Sequence, residues 1–593
     1  MMKHEILTGA LLAVTALAYG QNLNPTVEVT NAYEGGAEAI KKPLQVMQVP
    51  DSVTRFNLDF DYEVFDNPYR GAYEFRPYQV QLRPQPAASG ERKFYLRAGA
   101  GYRLRPELEL VYTPLRRNDL EINLTASHRS FIDRYRPVGA DFSGEDVRLL
   151  RRDLPDSFSD AGLDLKTRLG ADGRYGWAGG EATLALAYDN LVSRHSYLGI
   201  SNLRHGALAD ARVRSLGGDA PGFFYDASLS YRYGYNRPTD LDASETIVNH
   251  GSEFRFATSL GPVMENRSAM LLDAAVGIQR LSGNLTAFVG NLAVTPHYRF
   301  ETGNWHFDLG VRLSTFFHED GTDGFVSGEG YASGGQHVEM FTKQSQRIYP
   351  AVSVEWTPLG ESVIFQAAAR GGDTYNSYFD LVEKDHFFSQ FYTFAGYPFL
   401  DNSVERIHAF VGARGNIARR FGYDWKVGFM YRDHELMYGA GDVKRDELAR
   451  RPTLGYADYA QMYTDLKMAW RSSSVEADAC LRYNYTWMQE VNEFFAPAPF
   501  KGNVSAYYLW GERLKAGLDA DFSTARKSGN SVRDSRPVAI PGYLDLGLYG
   551  EYAWSRKTGV WLRIGNLLNQ TIQRIPFIAE SGIYATAGIR LNF

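Results

Sequence analysis

The last eleven residues sort by twos. Ile583, Ala585, Ala587, Ile589, Leu591 and Phe593 alternate with Tyr584, Thr586, Gly588, Arg590 and Asn592. Side chains on a strand point alternately to its two faces, so this segment is a strand with one oily and one polar face. Such a strand suits the wall of a barrel standing in lipid, apolar outward and polar toward a wet lumen. Taken alone it would also suit the edge of a soluble sandwich. The rest of the chain has to decide between them.

From Lys93 onward the same period recurs. Phe223, Tyr225, Ala227, Leu229, Tyr231 and Tyr233 alternate with Asp226, Ser228, Ser230, Arg232 and Gly234. Trp305, Phe307, Leu309, Val311 and Leu313 stand opposite His306, Asp308, Arg312 and Ser314, and Val475 to Tyr485 repeats the pattern. A helix would scatter these residues round its circumference, whereas a strand sorts them. The connections alternate in length. Short polar turns are expected at Leu115–Asp119, Ala171–Arg174, Thr302–Asn304, Ala418–Arg420 and Ser555–Thr558, among others. Longer loops fall at 132–155, 189–204, 236–250, 318–345, 373–402, 433–454, 488–498, 526–538 and 570–581. Short turns on one rim and long loops on the other is the asymmetry of an outer-membrane barrel. The expected fold is all-β: one antiparallel transmembrane barrel of about 22 strands over residues 93–593. Its surroundings are outer-membrane lipid, and closure removes every sheet edge that lipid could not satisfy.

Composition agrees. Thirty-eight Tyr and 35 Phe are enough for aromatic girdles at two interfaces. After Ala18 no apolar run approaches the length of a helical span. The single cysteine, Cys480, excludes a disulfide framework, and a net charge of −6 argues against a nucleic-acid partner. Residues 1–20 read as a secretory signal, with an apolar stretch from Ile6 to Ala18 and a small-x-small end at Ala18-Tyr19-Gly20. The expected location is the outer membrane of a Gram-negative bacterium. Residues 21–92 lack alternation and mix aromatics with acids. They read as an extended periplasmic arm whose Phe56, Phe60, Tyr62, Phe65, Tyr69, Tyr73 and Phe75 dock in the lumen or on a partner.

No catalytic constellation, cofactor motif or metal-ligand spacing appears, so an enzyme is not expected. Asp320-Gly321-Thr322-Asp323-Gly324 carries oxygen ligands, but such pairs are mostly turn formers. The loop containing Phe387, Phe388, Phe391, Tyr392, Phe394, Tyr397 and Phe399 is aromatic enough to need a surface to cover. That surface is the barrel mouth first, then a partner, then a small ligand. The inward faces mix signs, which suits an unselective channel or an interior cross-linked by ion pairs.

Arg563-Ile564-Gly565-Asn566-Leu567-Leu568-Asn569, then a loop and a last strand closing on Phe593, resembles the C-terminal pattern of the TonB-dependent receptors. Asn402-Ser403-Val404-Glu405-Arg406 resembles the segment that opens a mid-barrel strand in that family. The family's ending on an aromatic carboxylate implies that Ile589, Leu591 and Phe593 are read by the barrel-insertion machinery. The resemblance covers the barrel and stops there. The residues from Gln21 to Glu91 are too few for the family's folded plug, and Thr26-Val27-Glu28-Val29-Thr30 is only faintly similar to the box that engages TonB. What is implied is a receptor-like barrel without a plug, of the type common in Bacteroidetes. Two functions compete: a receptor-like or porin-like barrel that passes or takes up solutes, and a non-transporting structural subunit of a multi-protein outer-membrane complex with other outer-membrane or surface proteins as partners.

Overall fold

The computed structural model describes residues 93–593, apart from 154–158, 217–220, 285, 319–346, 390, 395–399, 441–450, 489–493, 512 and 531–535. The signal, the aromatic arm, the Thr26–Thr30 box and the Asp320–Gly324 turn lie outside the described residues.

Twenty-two antiparallel strands close into one barrel. Each wall strand pairs with the next, and the first, Phe94–Tyr102, pairs with the last, Tyr584–Asn592, from Tyr95↔Asn592 to Tyr102↔Ala585. Phe593 extends this seam. Its carbonyl accepts from the Lys93 and Phe94 N–H groups at 2.6 and 2.9 Å, and its own N–H donates to Phe94 O at 2.8 Å.

The alternation in the sequence becomes two faces of one wall. Tyr231, Tyr233, Phe254, Leu309, Val311, Leu313, Val411 and Leu518 stand exposed on the outside. Next to the short turns the aromatic rings stack along the wall: Tyr298 on Phe300 at 5.4 Å, Trp305 on Trp356 at 5.5 Å, Trp356 on Phe365 at 5.4 Å. A closed sheet clad in exposed apolar side chains and rimmed with aromatics is built for the outer membrane, because no other solvent favours that exterior.

The wall is not of even height. Strands at the seam have 8 to 10 residues, close to the roughly 9–11 that cross a bilayer. On the two flanks Gly222–Asp240, Phe421–Gly439 and Thr453–Arg471 have 19 each, so they project beyond the membrane at the long-loop rim. This explains two departures from expectation. The loop expected over 189–204 shrinks to 196–199, because strands Gly180–His195 and Ile200–Ser215 keep pairing after their outer face has turned polar. The turn expected at Ala171–Arg174 is strand. Ala161–Trp177 runs through it, Gly173 sits opposite Ile122, and the chain reverses at Ala178-Gly179. Asp172, inside that strand, accepts a hydrogen bond from Asn123 Nδ2 at 2.9 Å.

The long-loop end carries a hydrophobic core of its own. Leu149, Phe388, Val538 and Phe577, from four connections far apart in sequence, are fully buried together. A small four-stranded sheet of Val138–Asp141, Val147–Arg151, Pro537–Ile540 and Arg526–Asn530 stiffens it, with Val538 paired in parallel to Val147.

Candidate functional site

The connection between strands Ile364–Tyr375 and Asn402–Ile417 sends residues 376–389 into the lumen. Its two feet are tied together: Asn376 N–H and Nδ2 both donate to Asp401 O at 3.1 Å, and Nδ2 also reaches Ser403 Oγ at 3.1 Å. Ser377 then caps the α-helix Tyr378–Lys384 (α1), its hydroxyl accepting from Asp380 N. Seven residues cannot hold a helix in water by themselves, so α1 exists because of what it packs on.

That surface is the lumen wall of strands Ile200–Ser215, Gly222–Asp240 and Asn249–Val263. Gly206, Gly234 and Gly251 stand in register across it and leave a flat strip without side chains. Phe379 lies on the strip. A Cβ on Gly234 would come 2.5 Å from Phe379 Cε1, and one on Gly251 would come 2.9 Å from Cζ. Tyr378 is buried beside it, its hydroxyl bonded to Asn236 and its N–H to Gln279 Oε1 at 3.2 Å. On the polar side of α1, Asp380 pairs with Arg232 at 2.5 Å and with Arg255 at 2.6 Å. Glu383 pairs with Lys166 at 3.3 Å. Beyond the helix, the His386 ring meets Asp164 at 2.9 Å, and its carbonyl accepts from Ser193 Oγ at 2.8 Å.

Charge and burial divide these contacts into two kinds. The Asp380 and Glu383 side chains are 45% and 48% exposed to the lumen, so each ion pair is worth only about 0.2–1 kcal/mol. Partial desolvation opposes the Asp380 charge, but Arg255 and then Arg232 outweigh it and hold the carboxyl below its ordinary range. Lys166, then Arg204 and Arg232, do the same for Glu383 against the same opposition. Deeper in, burial pushes Asp385 up, even though the Phe387 N–H and the Tyr392 and Tyr438 hydroxyls all donate to it. At the foot of the segment burial raises Asp401 to about 7, with the Asn402 N–H opposing.

A pH response follows from Asp401. Its folded value lies above the ordinary one, so the proton favours the seated segment. This contribution is fully present below the ordinary carboxylate range and is lost as pH rises through about 7. Asp380 and Glu383 are depressed, so their contribution is lost only in acid, well away from that window. Amide exchange across 376–401, corrected for intrinsic rates, is expected to quicken between about pH 5 and about pH 8. Asp401→Asn should flatten the profile; a mutant that still responds like the parent would remove Asp401 as its origin.

Four of the loop aromatics singled out in the sequence, Phe387, Phe388, Phe391 and Tyr392, are buried in the core at the barrel mouth. Phe394 lies in the two-residue strand Thr393–Phe394, paired in parallel with Thr453-Leu454, while Tyr397 and Phe399 lie outside the described residues. Ile589 and Phe593 are exposed and Leu591 is half-buried. The helix, the glycine strip and the basic wall were missed. The helix had left a trace in Ser377-x-x-Asp380 ahead of Leu381 and Val382, the spacing of an N-terminal capping motif.

These features define a closed 22-stranded outer-membrane β-barrel with a segment of its own chain seated in the lumen. Solved structures of that class are similar in fold. The FrpB iron transporter from Neisseria meningitidis (F5-1 variant) matches with a TM-score of 0.60 at 10% identity, over 85% of this chain and 83% of that one. The copper transporter OprC matches at 0.58 and 12%, over 85% and 81%. The siderophore receptor PiuA from Acinetobacter baumannii matches at 0.57 and 9%, over 85% and 82%. At such identities the likeness is one of fold. No protein-family model matches the chain, and no curated protein matches it in sequence.

Proposed function

We propose that this chain is an outer-membrane transport barrel, receptor-like or porin-like, whose lumen is gated by its own helix α1. The observation that carries this reading is the way α1 is held. A helix too short to persist alone rests on a bare glycine strip, packs Tyr378, Leu381 and Val382 into the core at the barrel mouth, and turns half-exposed ion pairs to the lumen. The ion pairs can be made and broken at modest cost, which suits a gate whose apolar side stays packed. The similar folds of an iron transporter, a copper transporter and a siderophore receptor add to the case by analogy, and fold alone is a weak guide to function.

A second reading has its own observation. The core of Leu149, Phe388, Val538 and Phe577 would be costly to open, and it suits a shut barrel serving as a structural subunit of an outer-membrane complex. Gentle detergent extraction followed by planar-bilayer recording separates the two. A lone, conducting barrel favours transport; a silent barrel with stoichiometric companions favours the structural role. Deleting residues 21–92 is expected to raise single-channel conductance if the arm also fills the lumen; unchanged conductance would mean that the arm serves a partner, TonB among the candidates, or that something else, α1 included, blocks the pore.

A further inference from the structure

The wall beneath α1 is basic, and α1 neutralises it. Five cations face the lumen there: Lys166, Arg168, Arg204, Arg232 and Arg255. Three wall carboxylates stand among them: Asp164 against His386, Asp189 at 3.7 Å from Arg168, and Glu253 at 2.8 Å from Arg255. Five against three leaves two positive charges, and α1 turns Asp380 and Glu383 toward them, while its Lys384 lies among Glu435 and Asp385. Asp380 and Glu383 are one helical turn apart, about 5–6 Å between Cβ atoms. The neutralisation is incomplete in space. Arg204 makes no ion pair within 4 Å among the described residues and rests over the Phe379 ring at 5.7 Å. A cavity of about 100 Å³ opens beside it, lined by Arg168, Asp189, Arg204, Arg232 and Glu383.

We propose that this cradle is a recognition site for a solute carrying two or more anionic groups, carboxylate or phosphate, and that Asp380 and Glu383 occupy the places of those groups while the lumen is closed. Guanidinium forks match carboxylate and phosphate oxygens, and the low-dielectric walls round a wet lumen focus the field of the cations on it. Such a solute enters through the cavity at Arg204, competes with the two carboxylates for Arg232, Arg255 and Lys166, and loosens the polar side of α1. Recognition and loosening are then coupled, since whatever binds the cradle displaces the charges that pair α1 to the wall while Tyr378, Phe379, Leu381 and Val382 stay buried. This rests on the transport reading and adds to it the class of solute.

The test is isothermal titration of the full chain in detergent with inorganic pyrophosphate and with citrate, acetate serving as the single-charge control. Saturable binding of pyrophosphate or citrate but not acetate is expected, and which of the two binds tells phosphate from carboxylate chemistry. Affinity should rise about tenfold or more in D380N/E383Q, where the internal competitor is gone, and fall by a similar factor in R204A. Heat-modifiable migration checks that each variant is folded, and the unmodified protein gives a reading in any case. Pyrophosphate and citrate binding no better than acetate, to the parent and to D380N/E383Q alike, overturns the proposal; so does binding that R204A leaves unchanged. A barrel that binds these anions yet never conducts would overturn the transport reading alone, and one that conducts without binding them overturns only this proposal.

Discussion

Valine in place of Gly234 is expected to lift α1 off the lumen wall. The first added atom already stands 2.5 Å from the Phe379 ring, nearer than such atoms pack, and the two methyls beyond it reach further. The ring cannot move deeper, because the neighbouring backbone is the barrel wall itself. Overpacking of this kind costs the seated state about 1–3 kcal/mol. Tyr378, Leu381 and Val382 still hold the helix, and the strain shifts the balance of seated and released populations by roughly ten- to a hundredfold. Single-channel conductance should rise, and external protease should cut within 376–401. Gly251→Val should act in the same direction, since its added atom meets both Phe379 and Leu281. Gly206→Ala is the control: it shares the strip, but its nearest neighbours lie at 3.7 Å or more. If Gly234→Val behaves like Gly206→Ala in both assays, Phe379 is not what seats the helix.

The contrast between these glycines shows where the sequence could and could not be read. Alternation across each membrane-embedded strand was legible because lipid imposes an apolar outer face, so Leu309, Val311 and Leu313 had only one place to go. It faded where strands leave the membrane. Asn190 lies on one face there and Ser193 and Asn202 on the other, both polar, yet the ladder continues to His195 and resumes at Ile200. The cradle could not be read at all. Lys166, Arg204, Arg232 and Arg255 stand on four strands, and only their register brings them together under α1.

Replacing Glu551 with glutamine is expected to weaken closure of the barrel. At the seam Arg97 of the first strand lies directly across from Arg590 of the last, a like-charge pair. Two groups make it tolerable. Trp561 lies under the Arg97 guanidinium at 4.1 Å, and Glu551 pairs with Arg590 at 3.1 Å, both side chains being 6% exposed. Tyr549 orients Glu551 by donating to it at 2.6 Å. Glutamine keeps the shape and removes the charge, leaving two guanidiniums facing each other across the weld. Removing one partner of a buried pair costs about 3–5 kcal/mol, which the short strands here are poorly placed to absorb. Less assembled barrel in the membrane and a lower temperature for loss of the compact gel band are the expected readings. Adding Arg590→Met to Glu551→Gln should restore much of both. A single mutant as heat-resistant as the parent would mean that Trp561 alone contains the repulsion.

The core at the barrel mouth implies an order of events in time. Leu149 precedes the wall's later strands and Phe577 follows nearly all of them, yet both belong to one packed cluster, and Val538 pairs with Val147 across the same gap. Those contacts join loops on both sides of the seam, so they gain most once the first and last strands have met. Loop closure between such distant stretches is rewarded late, so the cluster is expected to pack after the ring is welded in the bilayer. The mouth of each new copy is then the last part of it to become ordered.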